Sequence, residues 1–524
     1  MESMVDAALL GAQNLFKPYP MLALISGSLI GLASGALPGA SLPGLIILLS
    51  IAFGMDPSIA IPLAVGMTAT VSTSDTLPSV VLGIPGSSSS QATIMDGYPM
   101  AQQGRAGEAL GAGYLASLIG GIFAAIVIVL LIPGAREVIG NFRAPELLTV
   151  AVLGIAMVGI LSSGAFVKGL VGAVMGLGLS TIGIDVTGGT ERFTFDSFYL
   201  FDGVALIIVI IGVFAVPELI GLVVGNRSIS TINYDDLGAS IRAGRRKGMA
   251  EVLKNKGLVL RSAGMGVFAG LTPGIGQATV DWFTYVAARM TLPGATRTFG
   301  TGDIRGVIAP ESANNATAAA TFVPAMAVGI PVGIGSALLI GLLITLGFSP
   351  GPNLMRNNLD LIFLVVFSLI ISNTIGTAIM LLVSPFVARI TFIRAHLLVP
   401  VILSVLMVAS FQVRNTMTDL FLLLGMSVLG WHMKRYGWAR PPLIIGLILG
   451  PVIELNLVQG LRAFGVVGIL QRPGVWAIAA VALAIIAASL KYKVNPQGFE
   501  AAVEEQAEQQ GGETGQASSE TESV

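Results

Sequence analysis

The sequence contains no cysteine and few charged residues, and both absences limit what the protein can be. Without cysteine the chain forms no disulfide, no thiolate metal site and no cysteine nucleophile. Its two isolated histidines do not form a metal site either. Charged residues make up 11% of the chain, against about 25% in an average soluble protein. This composition predicts a membrane protein that has no nucleic-acid partner.

Hydrophobic residues make up 54% of the 524-residue chain, and apolar runs recur along almost its whole length. A membrane-spanning helix needs about 20 apolar residues, and by that criterion we expect about 12 transmembrane helices. We therefore predict an all-α polytopic membrane protein with additional broken or re-entrant helices. The first residues carry no basic stretch, so we expect no cleavable signal peptide.

The distribution of charge divides the chain into five segments. Residues 225–257 are rich in arginine and lysine, and the positive-inside rule places this basic linker in the cytoplasm. We expect an N-terminal interfacial segment at 1–19 and a first transmembrane repeat at 20–224. A second repeat with C-terminal helices follows at 258–491. Residues 492–524 are rich in Glu, Gln, Ser and Gly, which predicts a disordered acidic tail.

Two short patterns occur once in each half and predict an internal duplication. Ser34–Gly39 matches Ala269–Gly274 at an offset of 235 residues, and Gly83–Pro85 matches Gly329–Pro331 at an offset of 246. These glycine and proline residues interrupt apolar sequence. Paired interruptions in two halves are typical of the binding site of a secondary transporter. We expect inverted repeats, the common transporter design, although the short matches do not give the orientation.

Polar residues cluster around these breaks. They occupy Ser72–Thr76 and Ser87–Ser90 at the first break, and Glu311–Thr317 ahead of the second. Polar groups are expensive in lipid and usually face a cavity or pathway. Free amides at helix N-termini suit a carboxylate, and the nearby carbonyl and hydroxyl oxygens suit a hard cation such as sodium. The same residues can instead cap helices and fill turns, and Asp75 or Glu311 can equally pair with an arginine.

Several separated motifs resemble the large membrane subunit of the tripartite tricarboxylate transporter family. They occur in the family's order and cover nearly the whole chain up to the acidic tail: Asp96–Ala101, Gln103–Leu110, Arg192–Phe195, Ala309–Asn315 and Gly450–Glu454. The resemblance implies a secondary transporter of the bacterial inner membrane. It also implies a small membrane subunit, an extracytoplasmic solute-binding protein that delivers a carboxylate substrate, and uptake driven by an ion gradient.

The second break departs from the family pattern, which is usually Gly-Ile-Pro-Gly with serine or threonine nearby. This chain has Val332 after Pro331 and only Ser336 close by, whereas the first break has Gly86 and four serines. We therefore expect two chemically unequal half-sites, with the polar contacts to the substrate mainly on the first half.

We predict that the substrate binds near the membrane midplane between the two halves, with alternating access to either side. The predicted substrate ligands are Pro38, Gly39, Ala40, Ser41, Gly86, Ser87, Ser88, Gly274, Gly276, Asn315, Pro331, Gly333 and Gly335. Thr73, Asp75 and Asn314 are the predicted ligands of the coupling ion, Na⁺ or H⁺, and we expect no other cofactor. The identity of the carboxylate, the side of the N-terminus and the presence of a homo-oligomer stay open.

Two other classes of function are weighed against a transporter. A passive anion channel needs a continuous pore lined by polar rings, whereas opposed breaks favour an occluded site. An intramembrane enzyme is the second alternative, because Gly300–Asp303 matches the Gly-x-Gly-Asp pattern of intramembrane aspartyl proteases. A catalytic aspartate pair must face each other inside the membrane, but this motif lies in a charged loop between Arg297 and Arg305. We expect no enzymatic activity.

Overall fold

A computed structural model describes most of the chain. The described residues are 4–37, 52, 54–83, 85–140, 142–161, 166–185, 187–224, 234–272, 277–390 and 395–492. Six of the predicted substrate ligands lie outside these ranges, namely Pro38, Gly39, Ala40, Ser41, Gly274 and Gly276. The predicted acidic tail also lies outside them, apart from its first residue.

The first half of the chain consists of helices and one small hairpin. The helices are α1 (Met4–Leu15), α2 (Pro18–Ala36), α3 (Pro57–Ser74), α4 (Thr76–Leu82), α5 (Gln91–Gln102), α6 (Ala106–Gly140), α7 (Ala144–Leu161), α8 (Phe166–Ser180), α9 (Phe198–Phe201), α10 (Leu206–Ile210) and α11 (Val216–Val224). A 3₁₀ turn, Ser88–Ser90, leads into α5, and a π-helical segment, Ile211–Ala215, joins α10 to α11. Strands β1 (Gly183–Ile184) and β2 (Glu191–Arg192) pair antiparallel, with Gly183 opposite Arg192.

Among the described residues of the second half, all regular elements are helices. It contains α12 (Tyr234–Lys254), α13 (Lys256–Gly270), α14 (Gln277–Thr291), α15 (Ala295–Thr298), α16 (Ile304–Ala320), α17 (Phe322–Val328), α18 (Ile334–Thr345), α19 (Pro352–Asn357), α20 (Leu359–Ile390), α21 (Ala395–Gln412), α22 (Thr418–Arg435), α23 (Pro441–Leu470) and α24 (Pro473–Tyr492). Helix α12 occupies most of the segment that the sequence marks as the basic linker.

Four helices of the described chain are long and apolar enough to cross a membrane. They span Pro18–Ala36, Ala106–Glu137, Leu359–Ala388 and Pro441–Leu470. Shorter apolar helices add to them, including Ala144–Ile155, Val167–Ser180 and Ile334–Thr345. This is the helical, multi-pass architecture that the composition predicts, with the small hairpin as an exception. The number of about 12 spans stays a prediction.

Two helices are broken in the same way, and a proline explains each break. Asp75 separates α3 from α4, and Thr321 separates α16 from α17. Pro78 and Pro324 follow these residues by three positions. A proline ring clashes with the carbonyl four residues earlier and cannot donate a hydrogen bond to it. Each helix is therefore interrupted directly before the separating residue.

The two breaks also end alike. Helix α4 is terminated by Gly83 at φ 64°, and α17 by Gly329 at φ 76°. This left-handed conformation strongly favours glycine, which has no Cβ to clash. Gly83 and Gly329 are 246 residues apart, as are Asp75 and Thr321. The breaks thus correspond residue by residue.

Each broken helix packs closely against an earlier helix of its own half. A Cβ atom on Gly31 would lie 2.5 Å from the Met67 carbonyl oxygen, and one on Gly266 would lie 2.6 Å from the Ala313 carbonyl oxygen. Glycine permits such close backbone contact between membrane helices. The successive close pairs are Gly27–Leu63, Gly31–Met67 and Gly35–Val71 in the first half, and Gly266–Ala313 and Gly270–Thr317 in the second. Because the numbers rise together, α2 runs parallel to α3, and α13 runs parallel to α16.

The two broken helices run antiparallel to each other. The Asn315 side chain of α16 contacts Thr73 of α3, and Glu311 contacts Thr76 directly after the first break. Residue numbers fall on one helix as they rise on the other, so α3 and α16 point in opposite directions. The parallel pair in the first half therefore opposes the parallel pair in the second.

The basic helix α12 and the N-terminal helix α1 lie at opposite ends of α20. Arg245 of α12 donates a hydrogen bond to the Leu381 carbonyl, near the C-terminal end of α20. Gly11 of α1 packs against the backbone of Asp360, at the start of α20. About 20 helical residues separate these points, which corresponds to roughly 30 Å. The sequence left the side of the N-terminus open, and the fold places it opposite the basic helix.

A buried aspartate of α5 connects the two halves. Asp96 Oδ1 accepts hydrogen bonds from the backbone amides of Gly300, Gly302 and Asp303 at 2.8–2.9 Å. Its Oδ2 accepts a hydrogen bond from the Tyr285 hydroxyl at 2.9 Å. Gly300 and Gly302 have positive φ values of 89° and 101°, which turn successive amides toward the carboxylate, as in an anion-binding nest. The Gly-x-Gly-Asp sequence therefore has a structural role.

We predict that Asp96→Ala lowers the stability of the protein by several kcal/mol. The substitution leaves three backbone amides without an acceptor, at about 1–3 kcal/mol for each. Tyr285→Phe is the matched control, because it removes only one donor and should cost about 1 kcal/mol. Thermal unfolding of the purified protein in detergent measures both changes. Equal losses in the two variants would contradict the role of Asp96.

We also predict that Gly266→Ala destabilises the protein whereas Gly264→Ala does not. The new methyl group at 266 meets the Ala313 backbone, while a Cβ at 264 meets nothing within 4 Å. Overpacking typically costs about 1–3 kcal/mol, and alanine in an open helical position gains about 0.5–1 kcal/mol over glycine. Thermal unfolding of the two variants, which differ by only two positions on α13, tests this. A stable Gly266→Ala protein would show that α13 and α16 are not in close contact.

Candidate functional site

The crossing of α3 and α16 is lined with buried polar side chains. The Asn315 amide donates to Thr73 Oγ1 and to Asn373 Oδ1 of α20, both at 2.8 Å. The neighbouring Asn314 amide donates to the Ser72 carbonyl at 3.2 Å. These five groups, four side chains and one backbone carbonyl, come from three helices. Thr73, Asn314, Asn315 and Asn373 are at most 2% exposed. Polar groups at such depth in a membrane protein are usually functional.

Glu311 of α16 is a buried carboxylate whose oxygens are well supplied with donors. Its Oε2 accepts hydrogen bonds from Thr76 and Ser117, both at 2.9 Å. Its Oε1 accepts a hydrogen bond from Thr93 at 2.7 Å. The three donors lie on α4, α6 and α5, so Glu311 of the second half bonds to three helices of the first half. The sequence left open an arginine partner for Glu311, but the structure gives it three hydroxyl donors.

Asp75, the residue at the first break, has only one oxygen engaged. The Ser87 hydroxyl donates to Asp75 Oδ2 at 2.5 Å, and the Ser89 hydroxyl lies 3.5 Å from the same oxygen. Asp75 Oδ1 is buried, and no hydrogen-bond partner reaches it among the described residues. The loop after α4 folds back onto this residue, since a Cβ on Gly86 would lie 2.7 Å from the Asp75 Cα. A buried oxygen without a donor can accept a cation or a proton.

Several backbone amides at the breaks donate hydrogen bonds to serine hydroxyls. Ser87 N donates to Ser90 Oγ at 3.2 Å. At the second break Val332 N and Gly333 N donate to Ser336 Oγ at 3.0 and 2.9 Å. Each serine sits at the start of the following helix and satisfies amides that a helix N-terminus leaves without a partner. The capping function that the sequence offered as the alternative is therefore present at both breaks.

The surroundings of the second break are mainly apolar. A small cleft lies beside Gly333. Its walls are formed by Ile210, Phe214, Gly333, Ile334, Ala337, Pro441, Ile444 and Ile445. The cleft offers no charged or hydroxyl-bearing side chain to a carboxylate. The predicted ligands Pro331 and Gly335 are two positions before and after Gly333. A Cβ on Gly335 would lie 3.7 Å from the Thr68 methyl group.

The structure brings together the predicted residues of the first break and of α16. Hydrogen bonds connect Asp75 to Ser87, Thr73 to Asn315, and Asn314 to the Ser72 carbonyl. Ser88 lies in the same 3₁₀ turn. Pro331, Gly333 and Gly335 sit at the other break. Among the described residues, no group of three His, Asp or Glu side chains is placed to hold a metal ion.

Sequence reasoning missed Asp281 of α14. Its side chain is 1% exposed, and neither carboxylate oxygen has a hydrogen-bond partner in the described part of the protein. One helical turn earlier, Gln277 donates to Asn314 Oδ1 at 3.2 Å. The sequence signal for this residue is an acidic side chain between the apolar residues Val280 and Trp282. A lone carboxylate in such a segment is a functional candidate by default.

Two motifs that are 262 residues apart in the sequence meet away from this crossing. Arg192 of β2 donates to both carboxylate oxygens of Glu454 on α23, at 2.7 and 2.8 Å. Asp185 next to β1 lies 3.8 Å from the same guanidinium. Hydrogen bonds from the Thr187 amide and hydroxyl hold the pKa of Asp185 below its usual value. This two-pronged Arg–Glu pair fixes the hairpin to α23.

No solved structure is significantly similar to this chain. Two proteins of Agrobacterium vitis are similar in sequence. The uncharacterized 52.8 kDa protein in the TAR-I ttuC' 3' region is 29% identical over 458 residues, which is 87% of this chain and 90% of the relative. The uncharacterized protein in the TAR-II ttuC' 3' region is 30% identical over 192 residues, 37% of this chain and 79% of the relative.

The family described as the tripartite tricarboxylate transporter TctA family matches residues 21–445. The matched region contains both breaks, the crossing of α3 and α16, and most of the motifs that carry the resemblance. It is a family of transporters. The Gly300–Asp303 motif, on which the enzyme alternative was based, binds the Asp96 carboxylate. The chain belongs to the TctA family, the large membrane subunit of tripartite tricarboxylate transporters.

Proposed function

We propose that this chain is the permease of a carboxylate uptake system, with a tricarboxylate or dicarboxylate as substrate. Membership of the TctA family supports the general function. The observation that carries the proposal is the buried polar crossing of α3 and α16, where Asp75 and Asn315 each have an oxygen without a donor among the described residues. Unsatisfied oxygens inside a membrane protein are expensive unless they serve a ligand.

The transport mechanism in this proposal is alternating access between two inverted repeats. The matched breaks 246 residues apart support a duplication, and the antiparallel course of α3 and α16 supports the inversion. Two units of this kind can rock against each other around a fixed site. The glycine contacts within each pair, α2 with α3 and α13 with α16, would keep each unit rigid.

The substrate carboxylates bind, in this proposal, at the N-terminal ends of α5 and α18. These positive helix ends follow the two breaks and attract anions. Ser87 N and Gly333 N already donate to serine hydroxyls, so neighbouring groups of the same turns would contact the substrate. Ser87, Ser88 and Asn315 supply the polar side chains, and the first half supplies more of them than the apolar second half.

The coupling ion, Na⁺ or H⁺, binds next to the substrate at Thr73, Asp75 and Asn314. Asp75 Oδ1 has no partner among the described residues, and Asn314 bonds to the Ser72 carbonyl three positions before Asp75, which supports this assignment. A cation there would offset the negative charge that a carboxylate substrate brings into the membrane. Binding of either would then favour binding of the other.

The membrane orientation and the partners complete the proposal. The positive-inside rule places the basic helix α12 in the cytoplasm, so α1, at the other end of α20, would face the extracytoplasmic side of a bacterial inner membrane. A solute-binding protein would deliver the carboxylate on that side. A small membrane subunit would complete the tripartite complex that the family's name describes.

Uptake into proteoliposomes that contain all three components tests the proposal. We expect saturable uptake of at least one carboxylate from a panel of dicarboxylates and tricarboxylates, and we expect it to depend on an imposed sodium or proton gradient. Liposomes without the permease are the control. Flux that rises linearly with concentration and ignores both gradients would instead indicate an anion channel.

We predict that the double substitution Ser87→Ala and Ser88→Ala lowers uptake by about tenfold or more. The change removes a hydrogen bond to the Asp75 carboxylate, and bonds to charged groups contribute about 1.5–3 kcal/mol, where 1.4 kcal/mol corresponds to a factor of ten. Uptake and the amount of inserted protein are measured together. Ser404→Ala is the matched control, because the exposed Ser404 hydroxyl bonds only to the Pro400 carbonyl of its own helix. Wild-type uptake by the double variant would remove the assignment of this site.

A further inference from the structure

Asp281 is a buried carboxylate to which the proposed transport mechanism gives no role. It lies on α14, is 1% exposed, and has no hydrogen-bond partner on either oxygen within the described residues. An ionised carboxylate without a partner is strongly unfavourable in a low-dielectric interior. The group therefore requires a proton or another cation to be stable in this place.

The other buried acids nearby show that the fold normally supplies donors. Glu311 accepts three hydrogen bonds from Thr76, Thr93 and Ser117. Asp96 accepts four, three of them from backbone amides. Asp75 has one oxygen satisfied by Ser87. Of these four acids, Asp281 is the one to which no described residue donates a hydrogen bond on either oxygen.

Helix α14 lies beside the proposed transport site. The helix packs against α16, α5 and the 3₁₀ turn Ser88–Ser90. Gln277, one turn before Asp281, donates to the backbone carbonyl and the side chain of Asn314. Trp282, the next residue, donates to Gln91 at the start of α5 at 3.4 Å. The neighbours of Asp281 on α14 therefore contact both polar segments that are assigned to the substrate and the coupling ion.

The charged groups around Asp281 do not neutralise it. Glu311 on α16 and Asp75 at the first break act on it with charges of the same sign. Asp96 on α5 is held by its own four donors. Arg261 on α13 donates to Thr291 at the far end of α14, and Arg297 on α15 is exposed. Asp281 thus has two other acids in its surroundings, and within the described part of the protein no arginine or lysine hydrogen-bonds to it.

We propose that Asp281 binds a monovalent cation, either a proton or Na⁺, and forms a second cation position beside Asp75. The inference rests on the proposed carboxylate uptake and adds a coupling residue to it. A monovalent cation is favoured because no group of three acidic or histidine ligands for a multivalent metal exists among the described residues. Neutralising Asp281 reduces its repulsion with Glu311 and Asp75 and prepares the site for an anionic substrate.

Thermal stability tests cation binding without any transport assay. Wild type, Asp281→Asn and Asp202→Asn are reconstituted in nanodiscs and melted over a pH series and over a Na⁺ series with K⁺ at constant ionic strength. We expect wild type to gain stability as pH falls if the cation is a proton, or with Na⁺ if it is sodium, because a ligand stabilises the state that binds it. Asp281→Asn should lose the part of that shift that Asp281 contributes, while Asp75 keeps its own part. The exposed loop control Asp202→Asn should keep the full shift.

Two outcomes of the melting experiment overturn the proposal. They are a wild-type protein that responds to neither cation, and an Asp281→Asn protein that keeps the full wild-type response. Asp281→Glu and Asp281→Ser are measured in parallel, in case the amide prevents correct insertion. The glutamate variant should keep the cation response and the serine variant should lose the part that Asp281 contributes, and a serine variant that keeps the full response also contradicts the proposal.

Transport separates the role in coupling from the role in substrate binding. In complete proteoliposomes, Asp281→Asn should lose gradient-driven accumulation by about tenfold or more, within the usual range of coupling between two sites. Exchange of internal for external substrate should stay close to wild type, because it needs no ion gradient. Gradient-driven accumulation at the wild-type level would overturn the inference. If wild type takes up no carboxylate, the proposed function fails, while the melting experiment still decides whether Asp281 binds a cation.

Discussion

The requirement that polar groups be satisfied inside a membrane governs this structure. Breaking α3 and α16 exposes backbone groups and places polar side chains at depth, and in lipid each unsatisfied group costs several kcal/mol. The antiparallel crossing of the two helices resolves most of this cost. Asn315 bonds to Thr73, and Glu311 bonds to Thr76, Thr93 and Ser117, so each half supplies partners for the other. The few oxygens that remain without donors are therefore informative.

The two breaks share their backbone geometry and differ in their chemistry. Proline interrupts both helices, and left-handed glycine ends both short segments. At the separating position, however, the first half has the acidic Asp75 and the second half has Thr321. The first loop brings Ser87 and Ser89 to Asp75, while the second borders an apolar cleft. The same backbone geometry thus carries different side-chain chemistry in the two halves.

The halves are also connected away from the crossing. Asp96 of the first half is enclosed by backbone amides of Gly300, Gly302 and Asp303 in the second. Lys247 of the basic helix α12 bonds to Glu108 at the start of α6 at 2.5 Å. These contacts hold the two halves together at the α12 end of the molecule.

The sequence by itself determined the membrane class, the location of the breaks, the inequality of the two halves and the family. These follow from local properties: apolar run length, proline and glycine placement, and short motifs such as Ala309–Asn315. Only the tertiary structure decided which polar groups have partners. It showed that Ser90 and Ser336 cap amides assigned to the substrate, and that Gly300–Asp303 holds Asp96. It also showed that none of the residues it describes donates to Asp281. Satisfaction of a hydrogen bond depends on residues that are hundreds of positions apart, and a single sequence does not give their distances.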